Sequence, residues 1–162
     1  MFGQKTTFDY LIGFLALALL LCQILLPVWY WDQLPERLPV HYGFNGEADR
    51  FGSKMSLLLL PVVGLGIFIL LTVVGRNPQA MNLPVRVTDE NRERVYRAGI
   101  QFIHILRVVT AALFAYLIWG TIQVGLGAQP QLDVRILYGL LSGTTLVLVW
   151  FFINVSKKDK EA

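Results

Sequence analysis

Two groups of side chains in this sequence are of types, and at spacings, that could do chemistry. The first lies between positions 41 and 49. His41, Glu47 and Asp49 flank an Asn45-Gly46 turn signal there, with Lys54 a few residues on. Imidazole with carboxylates can hold a divalent metal or exchange a proton near neutral pH. The second group is Arg97, Gln101, His104 and Arg107, at spacings of three and four. On a helix those positions form one stripe, and ionisable residues inside a membrane mark proton or ion paths. Neither group is a catalytic set. The sequence has no nucleophile with a base and an orienting partner, no His-Glu-x-x-His and no phosphate loop, so an enzyme is not expected and no cofactor is implied.

The elements that must position these groups are set by the solvent. Of 162 residues, 55% are apolar and 15% charged, where a soluble chain carries about 25% charge. That excludes disorder, and the single cysteine, Cys22, excludes an internal disulfide scaffold. Lipid is the solvent that fits. Four apolar stretches cover positions 10–31, 56–75, 101–124 and 132–155, each about the 20 residues that a crossing helix needs. None alternates with period two, so a lipid-facing barrel is not expected. The fold class is therefore an all-α membrane protein: one domain, a four-transmembrane-helix bundle. The first stretch is longer than a signal-peptide core of about 7–15 residues and no small-x-small site follows it. Leu21 before Cys22 likewise argues against a lipoprotein site.

Charge placement predicts orientation. Lys5, the five arginines between Arg76 and Arg97, and Lys157, Lys158 and Lys160 fall on one side; Arg37, Arg50, Lys54 and Arg135 fall on the other. Basic residues stay inside, so both termini and the inner loop 76–100 are expected in the cytoplasm, and the loop 32–55 outside. The formal charge of +3 is then a topology signal, and nucleic acid is not an expected partner.

The outer loop reads as a short β-hairpin on the helix ends, because Asn45-Gly46 favours a two-residue turn. That register pairs Phe44 with Glu47, Tyr42 with Asp49 and His41 with Arg50. His41 and Asp49 then point to opposite faces, and only a bulged strand would bring them together. The favoured reading gives each a local backbone partner, or pairs Asp49 with Arg50 or Lys54. In the inner loop, Thr88 can cap a helix whose first turn holds Asp89 and Glu90 and which runs on into the third span. From Asp89 to Val124 is 36 residues, about 54 Å, so part of it must leave the bilayer. Arg107 then falls at the inner interface, where it is expected to snorkel outward, and His104 to make an interhelical or interfacial hydrogen bond. Gly139 and Gly143 form a small face in the fourth span, suited to packing within the chain or in a homo-oligomer.

Two segments carry a resemblance. Leu38-Pro39-Val40-His41-Tyr42, Gly46, Asp49 and Phe51-Gly52-Ser53-Lys54 form the first; Asn82-Leu83-Pro84-Val85, Thr88, Glu90-Asn91 and Tyr96 form the second. Between about Tyr10 and Tyr96 the chain resembles the bacterial domain-of-unknown-function membrane module found at the N-terminus of SdpI-type toxin-immunity proteins. Tyr42 stands where Phe or Trp is usual and Gly43 where Asn is frequent, and SdpI-type proteins have further spans. The resemblance implies a non-enzymatic protein of the bacterial inner membrane, of immunity or signalling type, whose outer loop meets an extracellular peptide or a membrane-protein partner. The residue pattern alone also suits a small proton- or cation-coupled transporter or an accessory subunit. Topology is directly testable. A protease site placed behind Ala162 is expected to resist protease added to intact cells, and cleavage from outside would reverse the orientation.

Overall fold

The computed structural model describes residues 6–156. Helices α1 (Thr7–Tyr30), α2 (Leu59–Arg76), α3 (Arg92–Gly125) and α4 (Val134–Ser156) account for most of it. All four helical segments are long and apolar enough to cross a membrane, the second when its leading 3-10 turn Lys54–Leu58 is counted. The chain is a multi-pass membrane protein. Large apolar side chains such as Phe14, Leu25, Val62, Leu70 and Leu146 are exposed along the helices, as lipid-facing surfaces should be. Lys5 and Lys157, Lys158 and Lys160, which enter the orientation argument, lie outside the described residues.

The helix starts follow local chemistry. Thr6 and Asp9 form a reciprocal capping box at the head of α1, satisfying donors that lipid cannot. Pro61 sits in the first turn of α2, where a missing N–H breaks no bond. Asp133 caps α4 by accepting from the Arg135 backbone N–H at 3.0 Å. The Arg135 guanidinium also donates to both Asp133 oxygens, at 2.9 and 2.7 Å. These bonds hold the Asp133 carboxyl below its ordinary range.

Helix α3 is the hub. It has 34 residues, about 51 Å at 1.5 Å per residue, and α1, α2 and α4 all pack on it. Its start differs from the sequence expectation. Thr88 does not cap it: the Thr88 N–H donates to Asn91 Oδ1 at 2.9 Å and the Asn91 N–H to Thr88 Oγ1 at 3.4 Å. Those bonds close a turn, and the helix begins three residues after Asp89. At this end, Arg94 Nη1 donates to the carbonyls of Asn154 at 2.6 Å and Val155 at 3.3 Å, capping the C-terminus of α4. Phe102 stacks on Phe151 at 4.5 Å in the same region. Gly139 and Gly143 touch no other helix: a methyl at either would meet nothing within 4 Å.

At the other end lies the hairpin, β1 (Arg37–Tyr42) with β2 (Ala48–Ser53), antiparallel. Leu38 anchors it, buried with Leu34, Leu57, Ile118 and Ile122; Gly125 of α3 leaves the room that Leu38 fills. The tip is tied to the start of α4. Leu132 N–H donates to the Gly46 carbonyl at 2.9 Å, Gln131 Nε2 to that of Asn45 at 3.3 Å and Tyr138 Oη to that of Phe44 at 2.9 Å.

The turn is not the two-residue type. Gly46 N–H donates to the Gly43 carbonyl and Gly43 N–H to that of Glu47, both at 2.9 Å. Gly46 has φ +88°, while among the described residues no non-glycine residue, Asn45 included, has positive φ. A three-residue connection closed by a glycine bulge results. Gly46 is required twice, by its φ and by the Leu132 carbonyl oxygen, which an added methyl would overlap. Gly127, at φ +72°, has open space around it. Gly127→Ala is therefore expected to cost about 1 kcal/mol of stability in detergent, from backbone strain alone. Gly46→Ala should cost clearly more, and equal losses would show that the tie to α4 contributes nothing.

Candidate functional site

The hairpin brings together two residues that a regular register would separate. His41 faces Arg50 as the spacing predicts, but Tyr42 pairs with Ala48, not Asp49, and Glu47 lies opposite Gly43. Asp49 is thus the extra residue of a bulge between Ala48 and Arg50. It swings to the His41 side, and His41 Nδ1 and Asp49 Oδ1 lie 2.7 Å apart. The expected pairing of Asp49 with Arg50 or Lys54 does not occur. Lys54 instead meets Glu36 at 2.9 Å and lies over the Trp31 ring, closing the base of the hairpin. Asn45 Oδ1 accepts from the Glu47 N–H at 3.1 Å, so Asn45 shapes the turn. Among the described residues no three His, Cys, Asp or Glu side chains are placed to share a metal ion. His41 and Asp49 are both about half exposed, an open pair on a rigid support.

Below the hairpin, Tyr42 Oη donates to Thr121 Oγ1 at 3.2 Å. Burial pushes the Tyr42 phenol above its ordinary value, and the bond to Thr121 opposes that shift. Tyr42 is thereby a neutral tether.

The second group has become the wall of a cavity. At the end of the bundle away from the hairpin, α1, α2 and α3 enclose about 470 Å³. Arg97, Gln101, His104 and Arg107 of α3 all line it, as one stripe should. From α1 come Thr6 and Asp9; from α2 come Thr72 and Arg76; Glu93 lies one turn before Arg97. Asp9 Oδ1 and His104 Nδ1 approach to 3.5 Å. Asp9 is held in place by its other oxygen, which accepts from the Thr6 N–H at 2.8 Å and Oγ1 at 2.9 Å.

Arg107 turns inward against α2. Its Nη1 donates to Thr72 Oγ1 at 3.2 Å, and its guanidinium lies 5.2 Å over the Phe68 ring. Thr72 Oγ1 in turn donates to the Phe68 carbonyl at 2.7 Å. The buried Nε of Arg107 has no hydrogen-bond partner among the described residues. The physical reason is packing: α2 lies against this face of α3 and offers Thr72 and a ring face, so the charge turns inward. One turn further along α3, fully buried Gln23 of α1 donates from Nε2 to the Ala111 carbonyl at 3.0 Å, in space left by Gly64.

Sequence reasoning missed Asp9, Thr72, Arg76 and Glu93 as members of this site. A signal existed for two of them. Thr6-x-x-Asp9 is a capping-box pattern, and Thr72 is the single polar side chain inside an apolar run from Leu57 to Gly75.

Of the comparisons with known proteins, one bears on the hairpin half of the molecule and one on most of its length. A family model described as Domain of unknown function (DUF1648) matches residues 18–65. The chain is similar to that family there. The match spans most of α1, the hairpin and the start of α2, and stops short of the Asn82–Tyr96 segment that the sequence resemblance includes. An uncharacterized protein of Archaeoglobus fulgidus is 27% identical over 145 residues, covering 81% of this chain and 79% of that protein. No solved structure matches.

The surroundings of Arg107 generate a stability prediction. A half-buried guanidinium with incomplete bonding contributes little net stability, and an apolar replacement of similar size is commonly neutral or stabilising. Arg107→Leu is expected to leave thermal stability in detergent within about 1 kcal/mol of the wild type or to raise it. A loss above about 3 kcal/mol would make Arg107 a structural member of the bundle.

Proposed function

We propose that this chain is a small proton-coupled transport protein of the cytoplasmic membrane. Both termini lie inside, the hairpin lies outside, and the cavity opens to the cytoplasm. The observation that carries this reading is the approach of Asp9 to His104 across an interhelical cavity. Ionisable side chains between membrane-crossing helices are expensive and are retained mainly for function. A carboxylate beside an imidazole can trade a proton in the physiological range. Arg107 and Thr72 deepen the polar wall, and Gln23 extends polar character one helical turn further.

A second reading keeps the hairpin as the working surface. In it the protein is an immunity- or signalling-type module whose outer loop meets an extracellular peptide. Phe44, 94% exposed at the tip of an anchored hairpin, supports it, as does the open His41–Asp49 pair.

Inside-out vesicles carrying a pH-sensitive dye separate the two. Under transport, one class in a panel of anionic, cationic and zwitterionic solutes should move protons. Asp9→Asn and His104→Gln should each remove most of that signal, while His41→Ala should not. Proton movement no greater than in vesicles lacking the protein, for every class, would sink the transport reading. Loss of peptide protection in His41→Ala cells would then favour the second.

A further inference from the structure

The charges around the cavity point to what it binds. Arg76, Arg97 and Arg107 line it against Asp9 and Glu93, a surplus of one positive charge with His104 neutral and two with His104 protonated. Asp9 already serves the cap of α1 and faces His104. Arg76 and Arg97 make no ion pair among the described residues, whereas Lys54, Arg92 and Arg135 each do. Among the described residues Arg107 has one hydrogen bond, to a hydroxyl, and a buried Nε without a partner. Guanidinium forks with unspent donors match the oxygens of phosphate. The volume, about 470 Å³, falls within the roughly 300–1,000 Å³ of small-molecule sites, and Leu71 and Ile100 supply apolar wall.

We infer that the cavity is a phosphoryl site: it takes the phosphate group of a small organic phosphate or of a phospholipid head, with Arg107 at its inner end and Arg76 and Arg97 nearer the mouth. The ten residues from Arg97 to Arg107 rise about 15 Å along α3, so a ligand can pass from one guanidinium to the next. A phosphate monoester carries about −1.5 to −2 charge at pH 7, which matches the surplus when His104 is protonated. In the proposed transport cycle the coupled proton would come onto His104 as the anion binds. Three guanidiniums also disfavour a metal cation in the same space. The inference deepens the transport reading and rests on its choice of the cavity as the working site.

The test uses the full chain purified in detergent. One arm titrates inorganic phosphate and glycerol 3-phosphate by calorimetry, in buffers of different ionisation enthalpy. The other arm weighs the intact protein by native mass spectrometry after purification from membranes and records phospholipid adducts. A soluble source gives saturable binding in the first arm; a lipid source gives an anionic phospholipid adduct in the second. In either case Arg107→Gln, at the inner end, should weaken binding or adduct occupancy at least tenfold, as loss of a charge-assisted bond does, and Arg97→Gln, nearer the mouth, by less. Arg86→Gln, on the exposed part of the inner loop, should change nothing. Absence of both signals overturns the inference, as does equal loss in Arg86→Gln. Phosphoryl binding without proton uptake would leave the site standing and remove the coupling. Proton movement with a different solute class and no phosphoryl binding would do the reverse.

Discussion

A hydrocarbon core of about 30 Å cannot contain a helix of about 51 Å, and α3 is such a helix. Roughly 20 Å of it must find other surroundings. The chain solves this differently at the two ends. At the hairpin end, α3 is covered by Leu34 and Leu38 and tied through Thr121 to Tyr42. At the other end its polar turns are walled by the start of α1 and the end of α2. The cavity is therefore where overlength helix meets shorter partners: α2, at 18 residues, ends at Arg76, while α3 continues down to Arg92.

Lipid also decides which polar groups are tolerated. With no water to bond them, backbone groups must be satisfied within the fold, and side chains take on part of that role. Thr6 and Asp9 close the head of α1, Arg94 the tail of α4, and Tyr116 Oη donates to the Asp133 carbonyl at 2.6 Å before α4 begins. Arg94 and Arg107 come from the same helix, yet one is consumed in capping and the other is left with donors to spare. That contrast singles out Arg107 more sharply than burial alone.

The four spans and the α3 stripe were legible because both rest on periodicity along one element. The hairpin was legible from Asn45-Gly46, but its register was not. The turn hinges on one dihedral: Asn45 could adopt positive φ and does not. The bulge at Asp49 restores the expected pairing at His41 and Arg50 alone, and a second irregularity between Pro39 and His41 shifts it back; a single extra residue reverses which face a side chain takes. Asp9 and Thr72 were unreadable as partners of His104 and Arg107, since their meeting depends on how α1 and α2 slide along α3. Arg107 was misplaced for the same reason: the distance to the interface suggested snorkelling, whereas a neighbouring hydroxyl and ring face, invisible along one strand of sequence, drew it inward. Thr88 had the right residue type for a cap, but Asn91 competed for its bonds.

For transport, the two polar ends must communicate, and between them lies a mostly apolar stretch of the bundle. Arg107 and Ile118 are eleven residues apart on α3, about 17 Å, and Ile118 and Ile122 pack with Leu38 and Leu57 of the hairpin segment. The Gln23 amide is bonded within that interval. Opening the outer end therefore requires Leu38 to leave its place beside Gly125. Such a movement would break the Tyr42–Thr121 bond and strain the tie from Gly46 to Leu132. In the proposed transport cycle the hairpin would be the segment that moves, and its ties to α3 and α4 would hold it closed.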